Sequence, residues 1–421
     1  MLIHSASQLL TIPGPPQRGQ GLGDLGIIKN GAVFIEGNVI LAIGPSDEMR
    51  IIYADEEMLD ASNCVVMPGF VDPHTHLVWS GNRAAEFEMR LQGKTYLEIM
   101  AAGGGIVSTV RQTRQATTDQ LIEETRPRIQ SMFEHGTTTA EAKTGYGLET
   151  KTELKILEAI LKLDAVVPLD LVPTFLGAHA IPPEYKGNPE TYTDLICAEM
   201  LPTLKDWCQT HNSKFTIHHL PFIDVFCETG AFTLVQSRRI LETARELGFP
   251  LKIHADEFDN LGGASLAAEL GAASADHLVV TSSKDIRNLG KSNTVAVSLP
   301  CTPFGLAEGH FTPAKEILEA DGILAIATDL NPGTAWCESM QFAIALACRY
   351  MKLTPAQAIV AASLNAAAAI NLEDRVGSLE PGKQADLLIL EVPDYRYLGY
   401  RFGTNLVRTV IKKGVVYPVK G

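Results

Sequence analysis

The stretch Val65-Val-Met-Pro-Gly-Phe-Val-Asp-Pro-His-Thr-His76 joins an apolar, strand-like run to two histidines that are separated by one residue. Because side chains of an extended chain alternate between its two faces, His74 and His76 are predicted to point to the same side. Two imidazoles on one face can bind the same metal ion, such as zinc. The stretch therefore predicts a metal site at the C-terminal end of a buried strand near residues 65–72.

Seven more apolar runs follow, and amphipathic stretches with helical spacing lie between most of them. The runs lie near residues 137–143, 171–177, 222–227, 250–255, 275–280, 294–299 and 322–328. The helical stretches include Asp119–His135, Lys151–Leu163 and Leu234–Leu247. Eight strand–helix alternations over about 300 residues predict an α/β fold, a (β/α)8 TIM-type barrel. An open doubly wound sheet is the alternative, but the chain has no GxGxxG strand–turn–helix unit to support it.

The two ends of the chain have a different pattern from the middle. Residues 1–64 and 377–421 contain short alternating segments that are interrupted by glycine, as in the stretch Gly31–Gly44. Such segments are typical of antiparallel strands joined by hairpin turns. We therefore expect both ends to form one small β-sandwich domain, beside a barrel that spans residues 65–376.

Composition and charge narrow the class of protein. Of the 421 residues, 46% are hydrophobic and 20% are charged, which is typical of a globular protein. The net charge of −14 argues against a nucleic-acid partner. The seven cysteines are an odd number without CxxC spacing, which favours reduced thiols. No apolar run is long enough to span a membrane, and the N-terminus lacks a signal-like pattern. A soluble, cytoplasmic protein is expected.

Metal-ligand residues occur where several of the predicted strands end. In a barrel of this type the active site lies at the C-terminal ends of the strands. His74 and His76 end the first strand, His254 the fifth and Asp329 the eighth. Three imidazoles and one carboxylate with one open position form a catalytic metal site, which lowers the pKa of bound water and polarises a carbonyl. The sequence therefore predicts one divalent metal ion on these four residues.

Two further residues next to these strand ends are candidates for catalysis, together with Asp329. Glu257 follows His254 by three residues, so it can lie beside the metal ligand and transfer protons without being a ligand itself. His277, at the end of the sixth strand, is predicted to orient the water molecule or to stabilise an oxyanion.

Lys143 has two interpretations. It can form an ordinary ion pair with Glu141 or Glu228, or it can be carbamylated and bridge two metal ions. The stretch Phe222–Gly230 has no lysine where such a bridge would be expected, which favours a single metal. Cys227 and Glu228 leave a second, weaker metal site open.

These motifs resemble those of the amidohydrolase superfamily and, more closely, those of its imidazolonepropionase family, over nearly the whole chain. The general motifs are PGFVDPHTH, HADE, SADH and the strand-eight aspartate. The motifs specific to the imidazolonepropionases are Gly81–Phe87, Gly103–Ile106, Lys143–Gly147, Thr174–His179, Asp329–Thr334, and Asp394–Tyr397 followed by Phe402-Gly.

The resemblance implies a reaction, a cofactor and a set of contacts. The reaction is hydrolysis of the ring amide of 4-imidazolone-5-propanoate to N-formimidoyl-L-glutamate in histidine degradation. The implied cofactor is zinc or ferrous iron on the four ligands named above, and the implied assembly is a homodimer. The resemblance also implies substrate contacts from Arg83, Tyr146, His179, Glu257, Asn331, Gly333 and Thr334.

The residue types fit this substrate better than they fit the alternatives. Arg83 offers a planar fork for the propionate carboxylate, although it could instead form a surface ion pair with Glu86. The same ligand set would serve a deaminase of a cyclic amidine, such as cytosine or guanine. Nucleobases have no carboxylate, however, so Arg83 and the loop Asn331–Thr334 argue against a deaminase. A non-catalytic scaffold is the least favoured function, because all four metal ligands are present.

Overall fold

The computed structural model describes residues 1–94, 98, 103–211 and 220–419, and it contains two eight-stranded sheets. One sheet joins the two ends of the chain in the order β16-β15-β14-β5-β1-β2-β3, and β4 also pairs with β1. Its strands are β1 (Leu2–Leu10), β2 (Ile27–Glu36), β3 (Val39–Pro45), β4 (Met58–Asp60), β5 (Val65–Pro68), β14 (Leu387–Leu390), β15 (Val407–Lys412) and β16 (Val415–Pro418).

The second sheet is a parallel barrel in which each strand pairs with the next strand along the chain. Its strands are β6 (Phe70–Asp72), β7 (Thr137–Lys143), β8 (Asp170–Ala178), β9 (Phe222–Cys227), β10 (Lys252–Ala255), β11 (Ser274–His277), β12 (Val295–Ser298) and β13 (Ile323–Ile326). A parallel bridge between Thr75 and Leu330, just beyond β6 and β13, closes the circle. The predicted TIM-type barrel is confirmed.

Helices follow the barrel strands and cover the outside of the barrel. Two long helices begin with capping boxes, one formed by Thr117 and Gln120 and the other by Thr233 and Gln236. In each capping box, either side chain accepts a hydrogen bond from the backbone N–H of the other residue. The α-helices comprise Ser46–Ile52, Ala84–Leu91, Ile106–Gln115, Thr118–Glu134, Thr150–Asp164, Pro189–Leu195, Leu201–His211, Leu234–Glu246, Gly263–Leu270, Ser283–Gly290, Cys301–Gly305, Ala314–Glu319, Met340–Tyr350, Pro355–Ala361, Leu364–Ala368 and Tyr397–Tyr400. Short 3₁₀ turns span Gly19–Gly21 and Pro183–Tyr185, and a π-helical turn spans Ile196–Met200.

The sheet from the chain ends folds over itself as the sandwich prediction requires. Val33 and Ile40 of one half share a buried apolar cluster with Leu387, Ile389 and Ile411 of the other half. A backbone bridge between Val39 and Gln384 also joins the two halves. How the chain divides into domains stays a prediction, with residues 1–64 and 377–421 against 65–376. No described helix is both long and apolar enough to cross a membrane.

The run 65–72, interpreted above as one strand, is two strands that belong to different sheets. The chain leaves the terminal sheet after β5 and enters the barrel with β6, so the single-strand interpretation was wrong. Gly69 lies at the crossing, where its N–H donates to Asp386 O at 3.0 Å. A Cβ atom on this residue would lie 2.2 Å from Thr138 Oγ1, so only glycine fits between the two sheets.

Gly69→Ala should therefore lower the free energy of unfolding by about 1–3 kcal/mol, the usual cost of forcing extra volume into a packed interior. Chemical denaturation of the full chain measures this loss. Gly21→Ala is the matched control, because nothing lies within 4 Å of a Cβ at that exposed position. Combining Gly69→Ala with Thr138→Ala should recover part of the loss. A Gly69→Ala variant as stable as the control would contradict the steric account.

Candidate active site and metal centre

The seam that closes the barrel also brings the predicted metal ligands together. Asp329 N donates a hydrogen bond to His74 O at 3.1 Å, and His76 N donates to Leu330 O at 2.9 Å. These bonds hold the segment after β6 against the segment after β13. The ligands at the two ends of the barrel sheet, which are far apart in sequence, therefore become neighbours through backbone pairing.

The donor atoms of the four predicted ligands face one another. Asp329 Oδ1 lies 3.5 Å from His74 Nε2 and 3.7 Å from His76 Nε2. His254 Nε2 lies 3.3 Å from His76 Nε2. All four side chains are buried, and His74 Nε2 has no hydrogen-bond partner. A buried nitrogen without a partner, beside other nitrogen and carboxylate donors, fits a divalent metal ion.

Two aspartates lie against the Nδ1 atoms of two of these imidazoles. Asp276 Oδ2 accepts a hydrogen bond from His74 Nδ1 at 2.6 Å, and Asp224 Oδ2 lies 2.9 Å from His254 Nδ1. A carboxylate at Nδ1 favours the tautomer in which Nε2 is free to bind a metal. The Nε2 atoms of His74 and His254 are therefore both directed at the candidate metal position.

Behind these aspartates, the barrel interior holds a group of charges that we call the buried ion cluster. Its members are Glu141, Lys143, Asp224, Lys252 and Asp276. Lys143 Nζ donates to Asp224 at 2.7 Å and to Glu141 at 3.0 Å, and Lys252 Nζ donates to Glu141 at 2.8 Å. Burial alone lowers the pKa of Lys143, but Asp224 and Glu141 raise it above its ordinary value.

The structure decides which interpretation of Lys143 fits its surroundings. Lys143 forms ion pairs with Glu141, as predicted, and with Asp224 rather than with Glu228.

The Glu228 carboxylate instead accepts hydrogen bonds from the backbone N–H groups of Phe258 and Asp259 at 3.0 and 3.1 Å. Among the described residues, no group of three possible metal ligands includes Cys227 or Glu228. The geometry favours the single-metal interpretation.

Glu257 and His277 lie together at one side of the candidate metal position. His277 Nδ1 is 3.5 Å from Glu257 Oε2. Burial, and then the nearby charge of Asp329, raises the pKa of Glu257 well above its ordinary value, and burial lowers that of His277. A carboxyl group beside an imidazole is suited to accepting and donating a proton.

His277 and Asp329 both have left-handed backbone conformations, with φ of +79° and +56°. Residues other than glycine rarely adopt them, and those that do cluster at functional sites. Asp329 also accepts a hydrogen bond from Thr302 through Oδ2, so Oδ1 is the oxygen that faces the histidines. Thr302 thereby fixes the orientation of this carboxylate.

A cavity of about 750 Å³ opens above these residues. His179 stacks on His76 with 4.8 Å between ring centroids, and its Nδ1 donates to Gly145 O at 2.9 Å. Burial lowers the pKa of His179 to about 3, and burial also raises that of Tyr146 above its ordinary value. The cavity walls therefore present a neutral imidazole and a neutral phenol.

Arg83 also lines this cavity. Its Nε donates to the buried Thr109 Oγ1 at 3.0 Å, and no ion pair with Glu86 appears among the described residues. A Cβ atom on Gly333 would lie 2.5 Å from Arg83 Nη1, so the guanidinium packs directly on this glycine. Thr109 and Gly333 hold the guanidinium at the cavity wall.

The predicted contact residues Asn331 and Thr334 also line the cavity, but their polar atoms satisfy one another. Asn331 Oδ1 accepts from the backbone N–H groups of Gly333 and Thr334 at 2.8 and 2.9 Å. Its Nδ2 donates to Asp329 O at 2.7 Å. In this structure Asn331 shapes the loop that follows the metal-ligand position.

Comparison with known proteins agrees with this geometry. The model of the amidohydrolase family matches residues 65–417. The imidazolonepropionase of Herpetosiphon aurantiacus is 53% identical over 416 residues, which cover 99% of this chain and 96% of that protein. This chain belongs to the amidohydrolase family, and within it to the imidazolonepropionases. It is a hydrolase that acts on carbon–nitrogen bonds of cyclic amides.

Two further comparisons agree with this family and with its fold. The imidazolonepropionase of Chloroflexus aggregans is 50% identical over 419 residues, covering 99% of this chain and 98% of that protein. A crystal structure of an adenosine deaminase from Xanthomonas campestris with bound zinc has a TM-score of 0.68 at 19% identity. That match covers 99% of this chain and 92% of the deaminase, and it shows the shared fold. Family membership and the donor set together indicate a bound metal.

Several residues of this amidohydrolase site were not assigned a role from the sequence. Asp224 and Lys252 lie inside the strand-like runs Phe222–Cys227 and Pro250–Ala255, where a buried parallel strand is normally apolar throughout. A charged residue inside such an apolar run is a signal, visible in the sequence, of a buried ionic interaction. Thr109 and Thr302 gave no comparable signal, because threonine is common in any strand or helix.

The surroundings of Lys143 predict how the enzyme responds to bicarbonate. Carbamylation needs a neutral amine, and the raised pKa of Lys143 keeps its amine protonated. Added bicarbonate should therefore leave activity unchanged, and elemental analysis of active protein should find one metal equivalent per chain. Activity that depends on bicarbonate, together with two equivalents of metal, would contradict the single-metal interpretation.

Proposed function

We propose that this chain hydrolyses the ring amide of 4-imidazolone-5-propanoate and gives N-formimidoyl-L-glutamate, a step of histidine degradation. One observation carries the proposal: Arg83 and the convergent histidine and aspartate donors line the same cavity. No carboxylate among the described residues pairs with Arg83, so its fork is available for a ligand carboxylate. The names of the relatives at 53% and 50% identity support the same substrate.

We propose His74, His76, His254 and Asp329 as the metal ligands, with zinc or iron as the ion. The unpartnered Nε2 of His74 and the short distances among the four donors support this assignment. Imidazole and carboxylate ligands bind either metal, so the availability of the metal decides between them. When bound, the metal supplies Lewis-acid chemistry, which lowers the pKa of a water molecule and polarises a carbonyl.

Hydrolysis adds a water oxygen to the ring carbonyl carbon, breaks the carbon–nitrogen bond and leaves a proton on the departing nitrogen. Glu257 is the residue we assign to carry that proton from the water to the nitrogen, because it is buried beside the ligands. His277, 3.5 Å from Glu257, holds the water or the developing oxyanion through its ring nitrogen. Asp329 is the third residue that we assign to catalysis, and its carboxylate lies beside Glu257 and His277 in the cavity.

The remaining wall residues bind and orient the substrate. Arg83 takes the propionate, while the Tyr146 hydroxyl and the free Nε2 of His179 reach the polar atoms of the imidazolone ring. Asn331, Gly333 and Thr334, in the loop that follows Asp329, line the same cavity.

A nucleobase deaminase would use the same metal ligands, but it would leave the guanidinium on the cavity wall without a partner.

We also propose a cytoplasmic homodimer without nucleic-acid partners. The seven free thiols and the net charge of −14 support the location and the lack of nucleic-acid binding, and the resemblance to imidazolonepropionases supports the dimer.

His76→Ala should lose both metal and turnover, because the site then has fewer protein ligands than it needs. Elemental analysis and activity assays of the purified variant measure both. The matched control is His310→Ala, which changes an exposed histidine outside the cavity. Full metal occupancy in His76→Ala would remove this residue from the proposed ligand set.

Glu257→Gln should keep the metal while kcat falls by roughly 10²–10⁴-fold, the usual contribution of a general acid–base group. Steady-state kinetics with parallel metal analysis test this separation, and the exposed Glu246→Gln serves as the control. An unchanged kcat would refute the proton-transfer role, and a loss of metal would make Glu257 a ligand instead.

Arg83→Ala tests the substrate assignment itself. A charge-assisted pair with the propionate contributes about 1.5–3 kcal/mol, so KM should rise roughly 10- to 150-fold. The carboxylate lies away from the reacting carbonyl, so kcat should change less, and metal content should not change. Arg83→Lys should recover only part of the loss, because an ammonium cannot form the bidentate fork.

The control for this test is Arg111→Ala, which changes an exposed arginine on the helix that carries Thr109. Product analysis on 4-imidazolone-5-propanoate and ammonia release from cytosine and guanine complete the comparison. If Arg83→Ala leaves KM unchanged while a nucleobase releases ammonia, the deaminase function replaces the one proposed here.

A further inference from the structure

The buried ion cluster lies directly behind the proposed metal ligands, and the reaction described above uses none of its members. All five side chains are at most 1% exposed. Groups of this kind are rarely buried without a specific compensation, because taking a charge out of water is costly. Their arrangement therefore needs an explanation in terms of the charges around them.

The cluster has two cations and three anions, which leaves one net negative charge. Lys143 and Lys252 each hold the Glu141 carboxylate, at 3.0 and 2.8 Å. Both Nζ atoms also lie 3.6 Å from Asp276 Oδ2. The two ammonium groups thus lie between the carboxylates and compensate two of the three negative charges.

The proposed metal centre has the opposite imbalance. A divalent ion bound by three neutral imidazoles and the Asp329 carboxylate carries one net positive charge. The cluster touches this centre through Asp276, which accepts from His74 at 2.6 Å, and through Asp224, 2.9 Å from His254. Charges this close interact strongly in a dry interior, so the two imbalances offset each other.

We propose that the buried ion cluster sets the metal affinity of the site by its net charge. Lys143 and Lys252 compensate two of its three carboxylates, and the remaining negative charge matches the positive charge of the loaded centre. The cluster residues are in this sense positioning and charge-matching residues rather than ligands. The inference rests on the metal site proposed above.

A purely mechanical role makes a different prediction. If the aspartates only orient His74 and His254, then the affinity should depend on Asp276 and Asp224 alone. Glu141 separates the two explanations, since the partners of its carboxylate are Lys143, Lys252 and Thr174. Its charge can change with little change in shape.

The experiment measures the dissociation constant of Zn²⁺ from the full-length, metal-free chain by competition with a chelator. Glu141→Gln removes one negative charge, so the dissociation constant should rise by roughly 10- to 100-fold, the range seen for outer-shell partners. Lys252→Met removes one positive charge and should lower the constant. The double variant Glu141→Gln/Lys252→Met keeps the net charge and should bind close to wild type.

Thermal unfolding of each metal-free variant reports whether it folds, and Glu141→Gln, the nearly isosteric change, decides the question if Lys252→Met does not fold. Wild-type Zn²⁺ affinity in Glu141→Gln would overturn the proposal. So would a change in the same direction for both single variants, because loss of packing and not charge would then be the cause. If the wild-type chain binds no Zn²⁺, the proposed metal site fails, whatever the cluster does.

Discussion

The backbone pairing that closes the barrel is the constraint on which the site depends. Two hydrogen bonds join His74 to Asp329 and His76 to Leu330, where the segments that follow the first and last barrel strands meet. Three of the four proposed ligands, His74, His76 and Asp329, therefore take their positions from this pairing.

The proposed ligand histidines lie over the buried ion cluster, whose five charged side chains are almost completely shielded from water. A buried ion pair contributes little net stability compared with an apolar core of equal volume. Its retention is better explained by what it does for the histidines above it. Asp276 and Asp224 lie against the Nδ1 atoms of His74 and His254, and Lys143 and Lys252 compensate the charge of these carboxylates.

Much of this could be predicted from the sequence, since strand ends carry the chemistry in a parallel barrel. Each of the eight apolar runs overlaps one barrel strand, and the HxH motif follows the first of them. The division of this run into two strands at Gly69 could not be predicted, because the apolar pattern is the same whether the residues belong to one sheet or to two. The roles of Thr109 and Thr302 also depend on contacts between distant segments, about which local patterns say nothing.

The central claim is that a metal on four proposed strand-end ligands and the Arg83 guanidinium in the same cavity act on one substrate. A crystal structure of the metal-loaded chain with an imidazole-propionate analogue, with anomalous scattering to locate the metal, tests this most directly. We predict one metal ion bound to His74, His76 and His254 through Nε2 and to Asp329, with the analogue's carboxylate on Arg83. A metal bound elsewhere, or an analogue whose carboxylate points away from Arg83, would contradict the account.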